Sequence, residues 1–170
     1  AIVTDDPLKI AEADKVIFPG VGEAASAVAY LRQHNLDRLI KSLHQPVLGI
    51  CIGQQLMCRH SMEGDVDCLG IFDADVLRFT PGMSGLKVPH MGWNTLHVTH
   101  PGIITSDMEN EYVYYVHSYY VPVNHATIAT TEYIDQFSAA MHKDNFYSTQ
   151  FHPEKSGGIG ERILKNFLEL

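Results

Sequence analysis

Val47-Leu48-Gly49-Ile50-Cys51-Ile52-Gly53-Gln54-Gln55-Leu56 is the stretch on which the reading of this chain turns. The run that follows Pro46, Val47 to Ile50, reads as a short buried parallel strand. Gly-x-Cys-x-Gly comes next, and a helix-like run continues from Gln54 to Met62. A nucleophile held between two glycines where a strand turns sharply into a helix is the nucleophile-elbow arrangement. The glycines serve the turn, which needs strained dihedrals and close backbone approach that side chains would block. Cys51 at a helix N-terminus would meet free amides and a dipole that favour the thiolate, the reactive form. A buried cysteine beside a tight βα turn is also common in α/β proteins, so the elbow needs support from elsewhere in the chain.

That support lies about a hundred residues downstream, at Gln150-Phe151-His152-Pro153-Glu154-Lys155-Ser156. A cysteine nucleophile needs a base to take its proton and return one to the leaving group. The base in turn needs an orienter that fixes its tautomer. His152 and Glu154 supply both types two residues apart, a spacing that puts them on one side of an extended segment, which Pro153 helps to hold extended. Singly, His152 reads as a surface histidine and Glu154 as an acid favoured near the start of the following helix. Joined to the Cys51 elbow, they point to nucleophilic catalysis.

Length and composition narrow the class. A chain of 170 residues is long enough for one domain with a sizeable core. Net charge is −8, from 12 basic and 20 acidic residues, and no basic run occurs, which argues against a nucleic-acid partner. No stretch approaches the roughly 18 apolar residues of a membrane span, so no membrane role is expected. Cys51, Cys58 and Cys68 contain no Cys-x-x-Cys pair and cannot all pair internally, which fits reduced thiols in the cytoplasm. Cys58 reads as packing on the same helix as Cys51. His97 and His100 form an H-x-x-H without a third ligand at metal-like spacing and read as solvent-facing strand or turn histidines.

Further elements follow from pattern. Lys15 to Phe18 reads as a parallel strand ending at Pro19-Gly20-Val21-Gly22, a turn placed where α/β proteins bind ligands. Apolar residues from Ala24 to Leu43 form a broken helical stripe, two helices split near Asn35. Residues 69 to 100 read as antiparallel strands with a loop at Pro89-His90-Met91-Gly92-Trp93 between them. Glu111 to Tyr120 begins as an aromatic strand, and Ala126–Thr131, Ser138–His142 and Phe146–Phe151 read as three more. An amphipathic helix from Gly157 to Leu170 closes the chain, with Ile159, Ile163, Leu164, Phe167 and Leu168 on its buried side.

Gly-x-Cys-x-Gly-x-Gln with a downstream Gln-Phe-His-Pro-Glu resembles the class I, triad-type glutamine amidotransferases. Pro19-Gly20-Val21-Gly22, Pro89-His90-Met91-Gly92-Trp93-Asn94 and Val116-His117-Ser118-Tyr119-Tyr120 resemble, within that family, the glutaminase subunits of imidazole glycerol phosphate synthases. Five motifs in order cover the chain from about residue 14 to its end. The resemblance implies an α/β fold, flavodoxin-like: a three-layer, mostly parallel sheet flanked by helices, with an antiparallel extension. It implies a single amidotransferase domain over residues 1–170, with Ile2 to Asp5 as a second strand and a βα unit of roughly 20 to 30 residues preceding it.

What the resemblance implies for the site is specific. Cys51 attacks the glutamine amide, His152 oriented by Glu154 moves the protons, and backbone amides at Gly20, Val21 and Ile52 hold the oxyanion. Gly53, Gln55, Glu63, Ser118 and Tyr119 contact the bound glutamine. Met91, Trp93 and Lys155 face a (β/α)₈-barrel cyclase in a heterodimer, which uses the ammonia to make imidazole glycerol phosphate and an aminoimidazole carboxamide ribotide in histidine biosynthesis. The chemistry needs no metal or organic cofactor. Ile52 replaces the commoner leucine after the nucleophile, and Gln54 stands where a methionine is usual. Readings that keep the triad for another biosynthetic partner, that retain the fold as an inactive binding module, or that give the Cys-His pair an unrelated substrate stay open at this point.

Overall fold

The computed structural model describes residues 1–20 and 22–170, and Val21, one of the expected oxyanion donors, lies outside them. The first elements are α1 (Pro7–Glu12), β1 (Val16–Pro19), α2 (Ala24–Gln33), α3 (Leu36–Ser42), β2 (Val47–Ile50) and α4 (Ile52–Leu56). There follow β3 (His60–Ser61), β4 (Val66–Asp67), β5 (Asp75–Arg78), β6 (His90–Thr95), β7 (His97–Val98), β8 (Tyr112–His117) and β9 (Tyr119–Tyr120). The chain ends with β10 (Thr127–Glu132), β11 (Gln136–Lys143), β12 (Phe146–Thr149) and α5 (Gly157–Leu168).

Alternation along β2 creates the layers. Leu48 and Ile50 enter one core cluster with Ile163 and Phe167 of α5, whereas Val47 enters another with Leu31 of α2 and Leu36 and Ile40 of α3. Successive side chains of a strand point to opposite faces, so helices cover both sides of the sheet. The sheet runs β1-β2-β12-β11-β10-β7. The β1, β2 and β12 strands are parallel, with Val47 in register with both Val16 and Phe146. The β11, β10 and β7 strands add an antiparallel extension. Two smaller sheets, β4-β3-β5-β9 and β6-β8, complete the mixed α/β architecture. Asn35, in the left-handed region at φ 56°, separates α2 from α3 as expected.

Four local expectations need correction. The helix after Cys51 stops at Leu56, not Met62. Backbone amides of Leu69, Ile71 and Phe72 take the carbonyls of Leu56 and Met57, and Arg59 donates its amide to Ala74. Tertiary pairing thus replaces the next helical turn, and Cys58 packs fully buried just beyond the helix. Residues 90–93 are not a loop but the first part of β6, paired along its length with β8 from His90↔His117 to Thr95↔Tyr112. Ile2 to Asp5 forms no ladder, and both Ile2 and Val3 are exposed. Leu168 is exposed as well, because it lies about 100° around the helix from the buried Phe167.

Two histidines belong to this core. His90 and His117 are buried among Tyr115, Tyr133, Phe79 and Phe137. Desolvation lowers His90 to about 4. It lowers His117 to about 3, against a smaller upward pull from the Tyr119 carbonyl. Both titrate near 6.5 in an unfolded chain, so below that pH the unfolded state takes up protons that the folded state refuses. Stability is therefore lost as pH falls from 6.5 towards 4. Denaturant unfolding at pH 7 and pH 5 is expected to differ by about 2 kcal/mol per histidine, with the acid sample weaker. Equal stabilities would contradict this burial.

Candidate active site

Cys51 sits where β2 meets α4, with φ 55° and ψ −111°, a left-handed backbone that non-glycine residues rarely adopt. Its amide donates to Thr149 O at 2.8 Å, and its carbonyl accepts from Gln54 and Gln55. The turn is held by close approach. A Cβ on Gly53 would lie 2.1 Å from Phe18 O, one on Gly49 would lie 2.3 Å from Met57 Cε, and one on Gly20 would lie 1.5 Å from Ile52 Cγ2. The end of β1, β2 and α4 are thus pressed together, the side chains of Ile52 and Met57 filling the space that a Cβ at Gly20 or Gly49 would need and Phe18 O lying directly against Gly53.

The sulfur faces Val116 O at 3.9 Å and Gln150 Nε2 at 3.8 Å. Desolvation pushes the Cys51 thiol up to about 11. The Ile52 amide and the Gln150 side chain pull down, and the charges of Glu154 and Glu63 push up. The position of Cys51 at a helix N-terminus predicts a favoured thiolate. The amide contact exists, but α4 is only five residues long and burial outweighs it.

His152 and Glu154 meet as expected, with Nδ1 2.6 Å from Oε1. They do so through a 3₁₀ turn over Pro153–Lys155, not an extended segment. The His152 amide donates to Tyr114 O at 3.0 Å, and the Ser156 hydroxyl donates to His152 O at 2.6 Å while accepting from Tyr114 N. A Cβ on Gly160 would strike Pro153 O, so α5 lies flush against this turn. The His152 side chain is 14% exposed against 48% for Glu154, which places the imidazole inward and the carboxylate at the rim. Among the described residues, the imidazole bonds to Glu154 and the sulfur to Val116 and Gln150. No hydrogen bond among these residues joins His152 to the Cys51 sulfur, although the charge of Glu154 acts on that thiol.

The remaining expected residues divide. The Gly20 amide donates to Ile50 O at 3.2 Å and so does not face the sulfur, whereas the Ile52 amide does. Gln55 is buried and donates to Tyr119 O and Gln150 Oε1, each at 2.9 Å. Ser118 O accepts from Phe79 N. Glu63 accepts from Ala24 N at 3.1 Å, and desolvation raises its pKa. Met91 and Trp93 lie exposed on the outer face of β6, and Lys155 is exposed beside Glu154. Trp93 packs edge-on to Tyr114, ring centroids 5.9 Å apart, and Tyr114 is the residue whose backbone holds the His152 turn.

The buried Gln54 donates to Ser138 O and accepts from Ser148, so its amide is paired where a methionine would be apolar. His97 bonds to Glu109, and both His97 and His100 are exposed. Gln150 and Val116 are the site residues that sequence reasoning gave no role. The signal for Gln150 was present, since it precedes His152 by two positions.

The chain matches the glutamine amidotransferase class-I family over residues 3–170. It is 61% identical over 170 residues to the imidazole glycerol phosphate synthase subunit HisH of Bacteroides fragilis strain YCH46, covering all of this chain and 87% of that protein. It is 49% identical over 170 residues to the subunit of the same name from Escherichia coli strain K12, covering 99% of this chain and 86% of that protein. Among solved structures, a glutamine amidotransferase superposes with a TM-score of 0.71 at 16% identity over 98% of this chain and 83% of its own. A glutamine amidotransferase of Thermotoga maritima gives 0.64 at 18% identity, over 98% and 66%. At such identities the structures attest the fold alone.

A buried thiol near 11 reacts slowly at neutral pH. Alkylation of Cys51 by iodoacetamide, followed by peptide mass spectrometry between pH 7 and 9.5, is expected to quicken about tenfold per pH unit. A plateau below pH 8 would contradict the burial of this thiol.

Proposed function

The chain belongs to the class-I glutamine amidotransferase family, and on that premise we propose that it is a cytoplasmic glutaminase supplying ammonia to a second subunit. That subunit is the (β/α)₈-barrel cyclase of an imidazole glycerol phosphate synthase, in histidine biosynthesis. Identity of 61% over all 170 residues to a subunit of that synthase supports the choice of partner. Three free cysteines, Cys51, Cys58 and Cys68, suit a reducing compartment. No helix among the described residues is long and apolar enough to cross a membrane. Residues 1–170 act as one amidotransferase domain in this reading.

The observation that carries the chemistry is Cys51 on a strained elbow, within reach of the charge of Glu154 in the hydrogen-bonded His152–Glu154 pair. Cys51 loses its proton to His152, and the thiolate forms a bond to the side-chain carbonyl carbon of glutamine. The oxyanion takes hydrogen bonds from the Ile52 amide and from the Gly20–Val21 loop. His152, its tautomer fixed by Glu154, returns the proton as the C–N bond breaks and ammonia leaves. Water, deprotonated by His152, then hydrolyses the γ-glutamyl thioester to glutamate. Gly53, Gln55, Ser118 and Tyr119 line the substrate cleft, and Glu63 offers a carboxylate to the substrate ammonium.

Two features of the free chain keep this machinery at rest. His152 does not bond to the sulfur, and the Gly20 amide is spent on Ile50 O. Catalytic contacts often tighten only with substrate bound, and one missing oxyanion donor lowers rate on the order of 10²–10³-fold. Free ammonia is protonated in water and loses nucleophilicity, which favours release into a docked partner. Met91, Trp93 and Lys155 form the docking face, since Met and Trp are enriched at such surfaces.

A diazoketone analogue of glutamine tests the reading. With the cyclase present, intact-mass and peptide analysis is expected to find one adduct, on Cys51. The Cys51→Ala variant is expected to take none, and His152→Ala to label at least about 10²-fold more slowly. Labelling of Cys51→Ala at the wild-type rate would overturn the proposal.

A further inference from the structure

Behind Cys51 runs a continuous chain of hydrogen bonds with one polarity. The carbonyl of Glu132 accepts from Asn94 Nδ2 at 2.8 Å, and a carbonyl only accepts, so the Asn94 amide nitrogen is fixed on that side. The Thr95 amide donates to Asn94 Oδ1 at 2.8 Å and fixes the other. Asn94 Nδ2 also lies 3.3 Å from His90 Nε2, His90 Nδ1 lies 3.0 Å from His117 Nε2, and His117 Nδ1 lies 2.7 Å from Tyr119 O. Read from the Tyr119 end, His117 must carry its hydrogen on Nδ1. Its bare Nε2 must accept from His90 Nδ1–H, and the bare His90 Nε2 must accept from Asn94. Both rings are neutral in this arrangement, as their burial also requires.

Tyr119 O is where this chain meets the nucleophile. It accepts from Gln55 Nε2 as well as from His117. The second hydrogen of Gln55 Nε2 goes to Gln150 Oε1, which leaves Gln150 Nε2 pointing at the Cys51 sulfur, 3.8 Å away. Reversing any amide or imidazole along the line would set two donors or two acceptors face to face. We propose that Asn94, His90 and His117 are positioning residues that lock the Tyr119 carbonyl, and through Gln55 hold the Gln150 amide as a donor to the Cys51 sulfur.

The inference rests on Cys51 being the nucleophile of the glutaminase reading and adds the device that keeps its thiolate supplied with a hydrogen bond. Gln150 is the only side chain among the described residues that hydrogen-bonds to that sulfur. His90 and Asn94 face inward from β6, whose outer face carries Met91 and Trp93, so the first members of the relay ride on the strand offered to the partner.

Two measurements test it without relying on turnover. Nitrogen-15 NMR of histidine-labelled wild-type protein at pH 7 is expected to show His90 and His117 neutral and protonated on Nδ1. In Asn94→Asp, which retains the acceptor for Thr95 but removes the donor to His90, alkylation of Cys51 at pH 8 is expected to slow about 3- to 10-fold. Gln150→Glu, which puts an acceptor against the sulfur, is expected to slow it by at least as much. A His117 protonated on Nε2, or alkylation unchanged in folded Asn94→Asp and Gln150→Glu, would overturn the relay. Turnover surviving in Cys51→Ala would instead sink the glutaminase reading, so the two failures are distinguishable.

Discussion

Close packing at three glycines is the constraint from which the rest of the site follows. Gly20 and Gly49 leave room for the Ile52 and Met57 side chains and the Gly53 backbone, and Gly53 lets Phe18 O approach directly. At that crowded turn between β2 and α4, Cys51 adopts a strained backbone at φ 55°. The strain is held by the ladder from Cys51 N to Thr149 O and by the first turn of α4. The sulfur is thereby fixed over the carboxyl ends of the parallel strands, the usual place for ligands in an open α/β sheet. The same ladder brings the chain from β12 directly to Gln150 and His152, so Cys51 and His152 are delivered by neighbouring strands.

The electrostatics of the site are those of a held reserve. Burial raises the Cys51 thiol, and the nearby carboxylates of Glu154 and Glu63 add to the effect, whereas the Ile52 amide and Gln150 oppose it. Ionisation becomes favourable only when further positive or hydrogen-bonding partners arrive. His152 is the nearest such group in the proposed mechanism, and its 3₁₀ turn is gripped by Tyr114 and Ser156. Tyr114 also packs on Trp93, so the outer face of β6 lies one residue removed from the segment that carries His152.

Much of this was legible in the residues. The strand from Val47 to Ile50, the elbow glycines and the break at Asn35 each leave a local signature, since apolar runs, required glycines and helix breakers act within a few residues. The His152–Glu154 pairing was legible as proximity but not as geometry, because a 3₁₀ turn and an extended segment both bring i and i+2 together. The short α4 was not legible. Its helical pattern continues to Met62, and only the long-range pairing of Leu69, Ile71 and Phe72 ends it. Likewise residues 89–93 read as a loop while Trp93 to Val98 reads as a strand, because the ladder partner of His90, His117 of β8, lies 27 residues away. The relay through His90, His117 and Gln55 joins segments far apart in the chain and no local pattern announces it.

The central claim is that this chain holds its triad at rest until a partner docks. Glutamate release from glutamine, measured for the chain alone and after adding the purified cyclase subunit with its nucleotide ligand, tests it most directly. The account predicts slow release alone and an increase on the order of 10²-fold or more in the complex, the scale of one restored oxyanion donor. Rapid release by the isolated chain, unchanged by the cyclase, would contradict it.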